Sequence, residues 1–150
     1  MDGRVCVKVV DSCLSVDEAT RFVNDESCGA VSVFIGVTRK DKVDNGIVTG
    51  LEFEAHIPLA IAIMDDIARE YMDKEPQVRR VFISHRLGFV RVGETNVILA
   101  VSSGHRDVSM RATQELMDTL KAKVPVWKKE VLDNGKYVWK ANKEWILASN

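Results

Sequence analysis

The sequence predicts an α+β fold in which a mostly antiparallel β-sheet is packed against a few helices. Short runs of β-branched and apolar residues, bounded by glycines or turn residues, recur along the chain and are typical of strands. Longer segments between them carry apolar residues at helical spacing. Near the end, the turn signal Asp133-Asn134-Gly135 separates two apolar segments, Glu130–Leu132 and Tyr137–Trp139, and predicts a β-hairpin.

Length and composition predict a single domain over residues 1–150, long enough to bury a hydrophobic core. The formal net charge of -1 provides no overall field that would attract nucleic acid or an anionic membrane, so neither is expected as a partner. The apolar runs are too short to span a membrane, and the first residues lack a signal-peptide pattern. The three cysteines have no metal-ligand spacing, which favours a reduced, cytoplasmic setting without a metal.

The N-terminal part of the chain is predicted to form a strand, a helix and a second strand. The segment Val5–Val10 is rich in valine and forms the first strand. Ser15 and Glu18 have the spacing of a capping box at the start of a short amphipathic helix. The run Gly29–Gly36 is apolar, β-branched and bounded by glycines, which predicts a buried strand.

A polar, basic segment, Val37–Lys42, follows that strand and ends near the turn signal Asp44-Asn45-Gly46. The alternating segment Val48–Ala55 is the next predicted strand. We expect it to pair with the strand before the basic segment as a hairpin with a long, charged tip. Arg39 lies at the base of that tip, where the chain leaves the core, so its guanidinium is better fixed than one at the tip.

The middle of the chain supplies a helix and two further strands. Pro58 suits the first turn of a helix that continues to about Asp73 with one apolar face. Val78–Ser84 is predicted as a strand. Asn96–Ser102 is another, and because it is apolar on both faces it is expected in the centre of the sheet.

The most informative stretch of the sequence is Leu120–Glu130. Pro125 ends the preceding amphipathic helix, since proline has no N–H to donate and disfavours helical geometry at the residue before it. Lys121 therefore lies on the last helical turn, whereas Lys128 lies on an extended segment. Ammonium groups on two different elements can converge on one anionic ligand. Lysines near a helix C-terminus are also commonly solvated surface residues, so this pattern alone leaves both interpretations open.

A second cationic position precedes the same helix, at His105 and Arg106. The central strand ends in small residues there, and a helix N-terminus directs backbone N–H groups and a positive dipole at one spot. In the alternative interpretation, Asp107 only caps the helix and His105 is a surface residue. A helix of about 16 residues is about 24 Å long, so His105 and Lys121 of one chain cannot both touch one small ligand. The pattern predicts either two subsites or a site shared across a dimer.

The predicted chemistry is assisted by cations. Glu52 and Glu54 fit the solvent-facing side of a strand, and the sequence shows no acid pair, phosphate loop or metal motif. A lysine in a partly desolvated cationic pocket is expected to have a lowered pKa and can act as acid, base or nucleophile. Neighbouring cations would stabilise developing negative charge.

These stretches together resemble the large, catalytic subunit of molybdopterin synthase. The matching segments occur in family order between about residues 29 and 142, which is most of the chain. They are Gly29–Gly36 with Arg39, Leu51–Ala55, His85–Gly88, Val92–Glu94, Val101–Arg106 and Leu120–Glu130.

The resemblance implies an α/β hammerhead fold and a homodimer that binds a ubiquitin-like small subunit at each end, giving a heterotetramer. The C-terminal Gly-Gly tail of the small subunit, carried as a thiocarboxylate, would enter a pocket of the large subunit. As a sulfurtransferase, the enzyme would pass sulfur from that tail to cyclic pyranopterin monophosphate, and two transfers would form the dithiolene of molybdopterin. No cofactor is implied.

The resemblance also implies roles for individual residues. Lys121 matches the main catalytic lysine beside the inserted tail, and Lys128 matches a second catalytic or substrate-contacting lysine. The remaining expected substrate-binding residues are Val37, Thr38, Arg39, His105, Arg106, Lys129 and Glu130, with His105 and Arg106 holding the cyclic phosphate from the other subunit. Two alternatives stay open: a non-catalytic module that binds a ubiquitin-like tail, and a Schiff-base enzyme acting on a phosphorylated carbonyl compound.

Overall fold

The computed structural model describes residues 3–43 and 45–140, which form two β-sheets with three helices packed on the first sheet. The helices are α1 (Val16–Val23), α2 (Ile57–Lys74) and α3 (Arg106–Lys123). The strands are β1 (Val5–Val10), β2 (Ala30–Val37), β3 (Lys42–Val43), β4 (Gly46–Ala55), β5 (Val78–Arg86), β6 (Gly88–Arg91), β7 (Thr95–Ser103), β8 (Val126–Leu132) and β9 (Tyr137–Lys140).

The first sheet has the order β1-β5-β7-β2, so β7 is an inner strand, as its two apolar faces predict. Only the β1–β5 pair is parallel within this sheet, and the pairs β5–β7 and β2–β7 are antiparallel. Helices α2 and α3 cover one face around the buried side chains of Ile83, Leu99 and Leu116. Helix α1 covers the opposite face through Ala19 and Val23, which pack with Phe82.

The helix starts follow local rules that are visible in the sequence. Ser15 caps α1, and its hydroxyl accepts a hydrogen bond of 3.1 Å from the backbone N–H of Glu18, as the capping-box spacing predicts. Pro58 lies in the first turn of α2, where its missing N–H removes no helical hydrogen bond. At the end of α3, Val124 leaves helical geometry directly before Pro125, which is the predicted break.

The second sheet is built around β4. This strand pairs with β3 and β6 along one edge and with β8 along the other, and β9 continues the sheet beyond β8. The β8–β9 pair is the hairpin that the Asp133-Asn134-Gly135 turn predicts, with Gly135 at a φ of +82°. Residues distant in sequence thereby meet, since Phe53 lies opposite Lys128 across the β4–β8 ladder.

The predicted hairpin between the strand at 29–36 and the strand at 48–55 is wrong. Strand β2 pairs with β7 in the first sheet, whereas β4 belongs to the second sheet. The basic segment therefore crosses between the two sheets instead of forming a hairpin tip. It is held by backbone hydrogen bonds from Thr38 N–H to Glu94 and from Gly93 N–H to Thr38. Strand order is decided by which apolar faces pack together, and no local signal distinguished these partners.

The α+β class with mostly antiparallel sheets is confirmed. The short strands β3 and β6 had no predicted counterpart, because four residues or fewer give too little periodicity to detect. The sequence also predicts a short helix or an ordered tail over Lys140–Leu147, and residues 141–147 of that segment lie outside the described residues, as does Asp44 of the turn signal. No helix in the described part of the chain is long and apolar enough to cross a membrane.

Candidate active site

A cavity of about 440 Å³ opens where the two sheets meet α3. The first sheet contributes the end of β2 and the end of β5, and the second sheet contributes β4 and β8. Its apolar wall includes Phe34, Phe53, Ile83, Met117 and Leu120. A cavity of this size and shape is suited to a small ligand or to an extended peptide tail.

Cationic side chains outnumber acidic ones around this cavity. Four cationic and two acidic side chains belong to its described lining, and these are Arg39, Lys121, Lys128, Lys140, Asp41 and Glu130. Both acids lie close to cations: Arg39 Nε is 3.0 Å from Asp41 Oδ2, and Lys140 Nζ is 3.6 Å from Glu130 Oε1. The excess of positive charge favours anionic ligands, although the whole chain is almost neutral.

Lys121 and Lys128 reach the cavity from two different elements. Lys121 is an exposed residue on the last turn of α3. After Val124, whose N–H still bonds to the Leu120 carbonyl at 3.0 Å, the chain turns at Pro125 and enters β8. Lys128 follows on β8 and is partly buried. The predicted convergence of the two lysines on one site is therefore present in the fold.

Strand alternation separates Lys129 from this site. Lys128 and Glu130 face the cavity, whereas Lys129 lies on the opposite face of β8. There its Nζ is 3.5 Å from Glu52 Oε2 and stands 4.4 Å from the ring centroid of Tyr137 and 5.3 Å from that of Trp139. The structure does not bring Lys129 into the cavity.

The segment that carries Arg39 is fixed by its neighbour. Thr38 is buried, and its hydroxyl accepts a hydrogen bond of 3.2 Å from the side-chain amide of Asn96. Val37 and Arg39, on either side of it, line the cavity, whereas Thr38 does not. Thr38 thus serves as an anchor, and the guanidinium of Arg39 lies at an exposed rim.

His105 and Arg106 lie at the other end of α3 from Lys121 and do not line the cavity. The helix has 18 residues, which makes it about 27 Å long. Both residues are exposed, and the N-cap residue is His105, whose side chain makes no capping hydrogen bond, while Asp107 lies in the first turn of the helix. The exposure of His105 agrees with the surface position that the alternative interpretation gives it. Within one chain, these residues and Lys121 form two separate cationic positions, as the helix length predicted.

His85 lines the cavity but had no predicted role. Its Nδ1 is 2.9 Å from the backbone carbonyl oxygen of Arg86, and its ring meets Phe53 edge-on with 4.9 Å between centroids. Burial lowers the pKa of His85 to about 4; the hydrogen bond to Arg86 opposes this shift and the charge of Lys128 reinforces it. The sequence signals for His85 were its position directly after the predicted strand at 78–84 and its place in the family-matching segment His85–Gly88.

A second cavity of about 400 Å³ adjoins the first on the β2 side of α3. Phe34, Met117 and Lys121 line both cavities. Lys121 therefore stands between two spaces that two different ligands could occupy. This arrangement suits a reaction in which a group passes from one bound molecule to another beside a cation that stabilises negative charge.

Comparison with known proteins shows the family to which this chain belongs. The family model described as MoaE protein matches residues 9–123. The chain is 44% identical over 137 residues to the human protein named molybdopterin synthase catalytic subunit, covering 91% of this chain and 71% of the human one. It is 42% identical over 144 residues to the protein of that name from Taeniopygia guttata, covering 96% of this chain and 92% of the relative.

Solved structures share the fold. The crystal structure of molybdopterin synthase from Staphylococcus aureus superposes with a TM-score of 0.83 at 32% identity, covering 89% of this chain and 95% of that one. A complex of subunits 1 and 2 of molybdopterin-converting factor from Helicobacter pylori contains a chain that aligns with a TM-score of 0.72 at 22% identity, over 91% of both chains. The chain belongs to the MoaE protein family, whose relatives include molybdopterin synthase catalytic subunits.

Proposed function

We propose that this chain is the catalytic subunit of a molybdopterin synthase. In this role it transfers sulfur from the C-terminal thiocarboxylate of a ubiquitin-like small subunit to cyclic pyranopterin monophosphate. The observation that carries the proposal is the convergence of Arg39, Lys121 and Lys128 on one cavity from three separate parts of the fold. Both reactants are anions, and a local cluster of cations in a nearly neutral protein can gather them.

Lys121 is proposed as the main catalytic group, because it stands between the two cavities. Its ammonium can stabilise the negative charge that develops while sulfur changes partner, and it can supply a proton. Lys128, facing the same space from β8, is proposed as the second catalytic or substrate-contacting lysine. Arg39 and Val37 would contact substrate at the rim, while Thr38 holds their segment in place.

Glu130 is proposed to adjust the charge of the site. Its side chain is buried at the cavity and lies near Lys140, so it offsets part of the positive charge there. Lys129 is proposed to act only indirectly, through the packing of β8 against β9.

The proposal includes a homodimer within a heterotetramer. His105 and Arg106 are exposed at a helix N-terminus, a position suited to a phosphate group, yet one helix length separates them from Lys121. If a second subunit placed its His105 and Arg106 beside Lys121 of the first, the two subunits together would form a complete site for the cyclic phosphate. The free thiols of Cys6, Cys13 and Cys28 support the proposed cytoplasmic setting.

The test is single-turnover conversion of cyclic pyranopterin monophosphate by this chain with a thiocarboxylated small subunit. Wild type is compared with Lys121→Ala, and small-subunit binding is measured for both proteins. We expect product from the wild type and none from the variant, with binding retained. Product from both would move the catalytic role to Lys128 or to the tail itself. If folded, partner-bound wild type gave no product, the proposed enzymatic function would be refuted. The alternative, a module that only binds the tail, would then be favoured.

A further inference from the structure

His85 and Lys128 line the same cavity from different sheets. His85 is at the end of β5, with Val97 opposite it on β7. Phe53 connects the two residues, because its ring contacts the imidazole edge-on and it lies opposite Lys128 across the β4–β8 ladder. The charge of Lys128 also acts on the imidazole. The two side chains are therefore neighbours through the fold, although 43 positions separate them in the sequence.

The tautomer of His85 follows from its backbone contact. Nδ1 lies 2.9 Å from the carbonyl oxygen of Arg86, which can only accept a hydrogen bond. Nδ1 therefore carries the proton and donates it to that oxygen. In a neutral imidazole the other nitrogen, Nε2, is then an acceptor. The hydrogen bond to Arg86 also fixes the orientation of the ring.

Burial, reinforced by the charge of Lys128, favours the neutral form of the ring. The groups that face the same cavity are Arg39, Lys121, Lys128, Lys140, Asp41 and Glu130, with the cations in excess. A protonated imidazole would be repelled there and would lose hydration. A neutral acceptor beside ammonium groups makes a favourable contact instead, because an ammonium has three donors and no acceptor.

We propose that His85 is a positioning residue for Lys128: its Nε2 accepts a hydrogen bond from the Lys128 ammonium and directs that group into the cavity. A lysine side chain has four rotatable bonds, and holding its end in one place requires a fixed partner. The ring of His85 is such a partner, since the Arg86 carbonyl and Phe53 restrain it. The effect of this contact on kcat rests on the proposed function, whereas the contact itself does not.

The contact is tested by long-range ¹H–¹⁵N NMR of the histidine rings in the full-length chain at neutral pH. We expect a protonated Nδ1 and an unprotonated Nε2 whose resonance is displaced to lower frequency by the accepted hydrogen bond. Lys128→Met keeps the aliphatic stem and removes the ammonium, so the Nε2 resonance should move to higher frequency. Lys121→Met is the matched control and should leave it in place. The opposite tautomer, or the same Nε2 resonance in Lys128→Met, would overturn the proposal.

The kinetic consequence is tested with two replacements of His85. His85→Gln places an amide oxygen near the position of Nε2, whereas His85→Asn reaches only the position of Nδ1. We expect His85→Asn to lower kcat about tenfold or more with little change in KM, and His85→Gln to retain most of kcat. Equal losses in both variants would indicate a purely structural ring and would overturn the proposal. Since the NMR measurement needs no turnover, inactivity of every protein would count only against the proposed function.

Discussion

Lys128 and Lys129 are adjacent in the chain, yet their side chains lie on opposite faces of β8. Lys128 lines the cavity between the two sheets. Lys129 lies over the rings of Tyr137 and Trp139 and near Glu52 on the other face of the second sheet. A strand turns successive residues to opposite faces, so two identical neighbours acquire different roles.

This relationship predicts opposite results for two alanine variants. Lys128→Ala should lower the single-turnover rate of sulfur transfer about 100-fold or more, because it removes a cation from the reacting site. Lys129→Ala should leave that rate within about twofold of wild type and cost about 0.5–1 kcal/mol of stability through the lost aromatic contacts. The measurements are single-turnover rates and urea unfolding of both proteins. A large loss of rate in Lys129→Ala would contradict the assignment of faces.

The separation of Arg106 from Lys121 along α3 predicts complementation between inactive variants. If each site takes Lys121 from one subunit and Arg106 from the other, Arg106→Ala and Lys121→Ala homodimers should both be inactive. A dimer that contains one subunit of each kind regains one intact site. Random mixing should therefore restore about a quarter of wild-type activity, since half of the dimers are mixed.

This complementation is measured on the two variants co-expressed with different tags. The mixed dimer is then isolated by successive affinity steps, and it should show about half of wild-type activity because one of its two sites is intact. Mixing Lys121→Ala with Lys128→Ala provides the control, because both residues line the same cavity within one chain. That pair should remain inactive. No recovery with Arg106→Ala would show that Lys121 and Arg106 do not form one site across the two subunits. Recovery in the control would show that Lys121 and Lys128 act from different subunits, which contradicts the cavity that they line within one chain.

Gly29 and Gly104 approach each other closely, and this predicts an asymmetry between two glycine substitutions. The N–H of Gly29 bonds to the carbonyl oxygen of Gly104 at 3.1 Å, and a Cβ at position 29 would lie 2.7 Å from that oxygen. Gly29→Ala should therefore destabilise the chain by about 1–3 kcal/mol. A Cβ at position 104 meets no atom within 4 Å, so Gly104→Ala should change stability by about 0.5 kcal/mol or less.

Urea unfolding midpoints at one temperature and pH distinguish these two variants. Gly104 directly precedes His105, the N-cap residue of α3, so Gly29→Ala is also expected to disturb the start of that helix. Amide NMR shifts at residues 104–107 report that disturbance. Identical midpoints for the two variants would contradict the close approach.

The lowered pKa of His85 predicts that the stability of the folded chain depends on pH. Its pKa falls from the ordinary 6.5 to about 4 in the folded chain, so between these values the unfolded chain binds the proton and the folded chain does not. The contribution of His85 is fully present above pH 6.5 and is lost as the pH falls toward 4. The loss amounts to at most about 3 kcal/mol. Urea unfolding at intervals across this range measures it.

The matched control for the pH dependence is His85→Gln, which removes one titrating ring and retains the other two histidines. Its stability should change less than that of wild type over the same range. Asp25 acts in a lower window: hydrogen bonds from Ser27 lower its pKa from 3.8 to about 2, so its contribution is lost only as the pH falls through that interval. Parallel curves for wild type and His85→Gln above pH 4 would exclude the histidine as the cause.

The sequence by itself determined the features that depend on neighbouring residues. Pro125 ends a helix wherever the rest of the chain lies, so the placement of Lys121 on a helix and Lys128 on a strand was predictable. Ser15 caps α1 through a residue three positions away, and a strand that is apolar on both faces must be internal. The helix length alone predicted that His105 lies far from Lys121.

Only the tertiary structure decided which distant segments meet. The partner of β2 is β7 and not β4, since pairing depends on how whole apolar faces pack and several registers satisfy the local pattern. The face of β8 that meets the cavity, and hence the difference between Lys128 and Lys129, follows from that same packing. His85 becomes part of the site because β5 ends beside β4, a contact between segments about 30 residues apart that no local preference encodes.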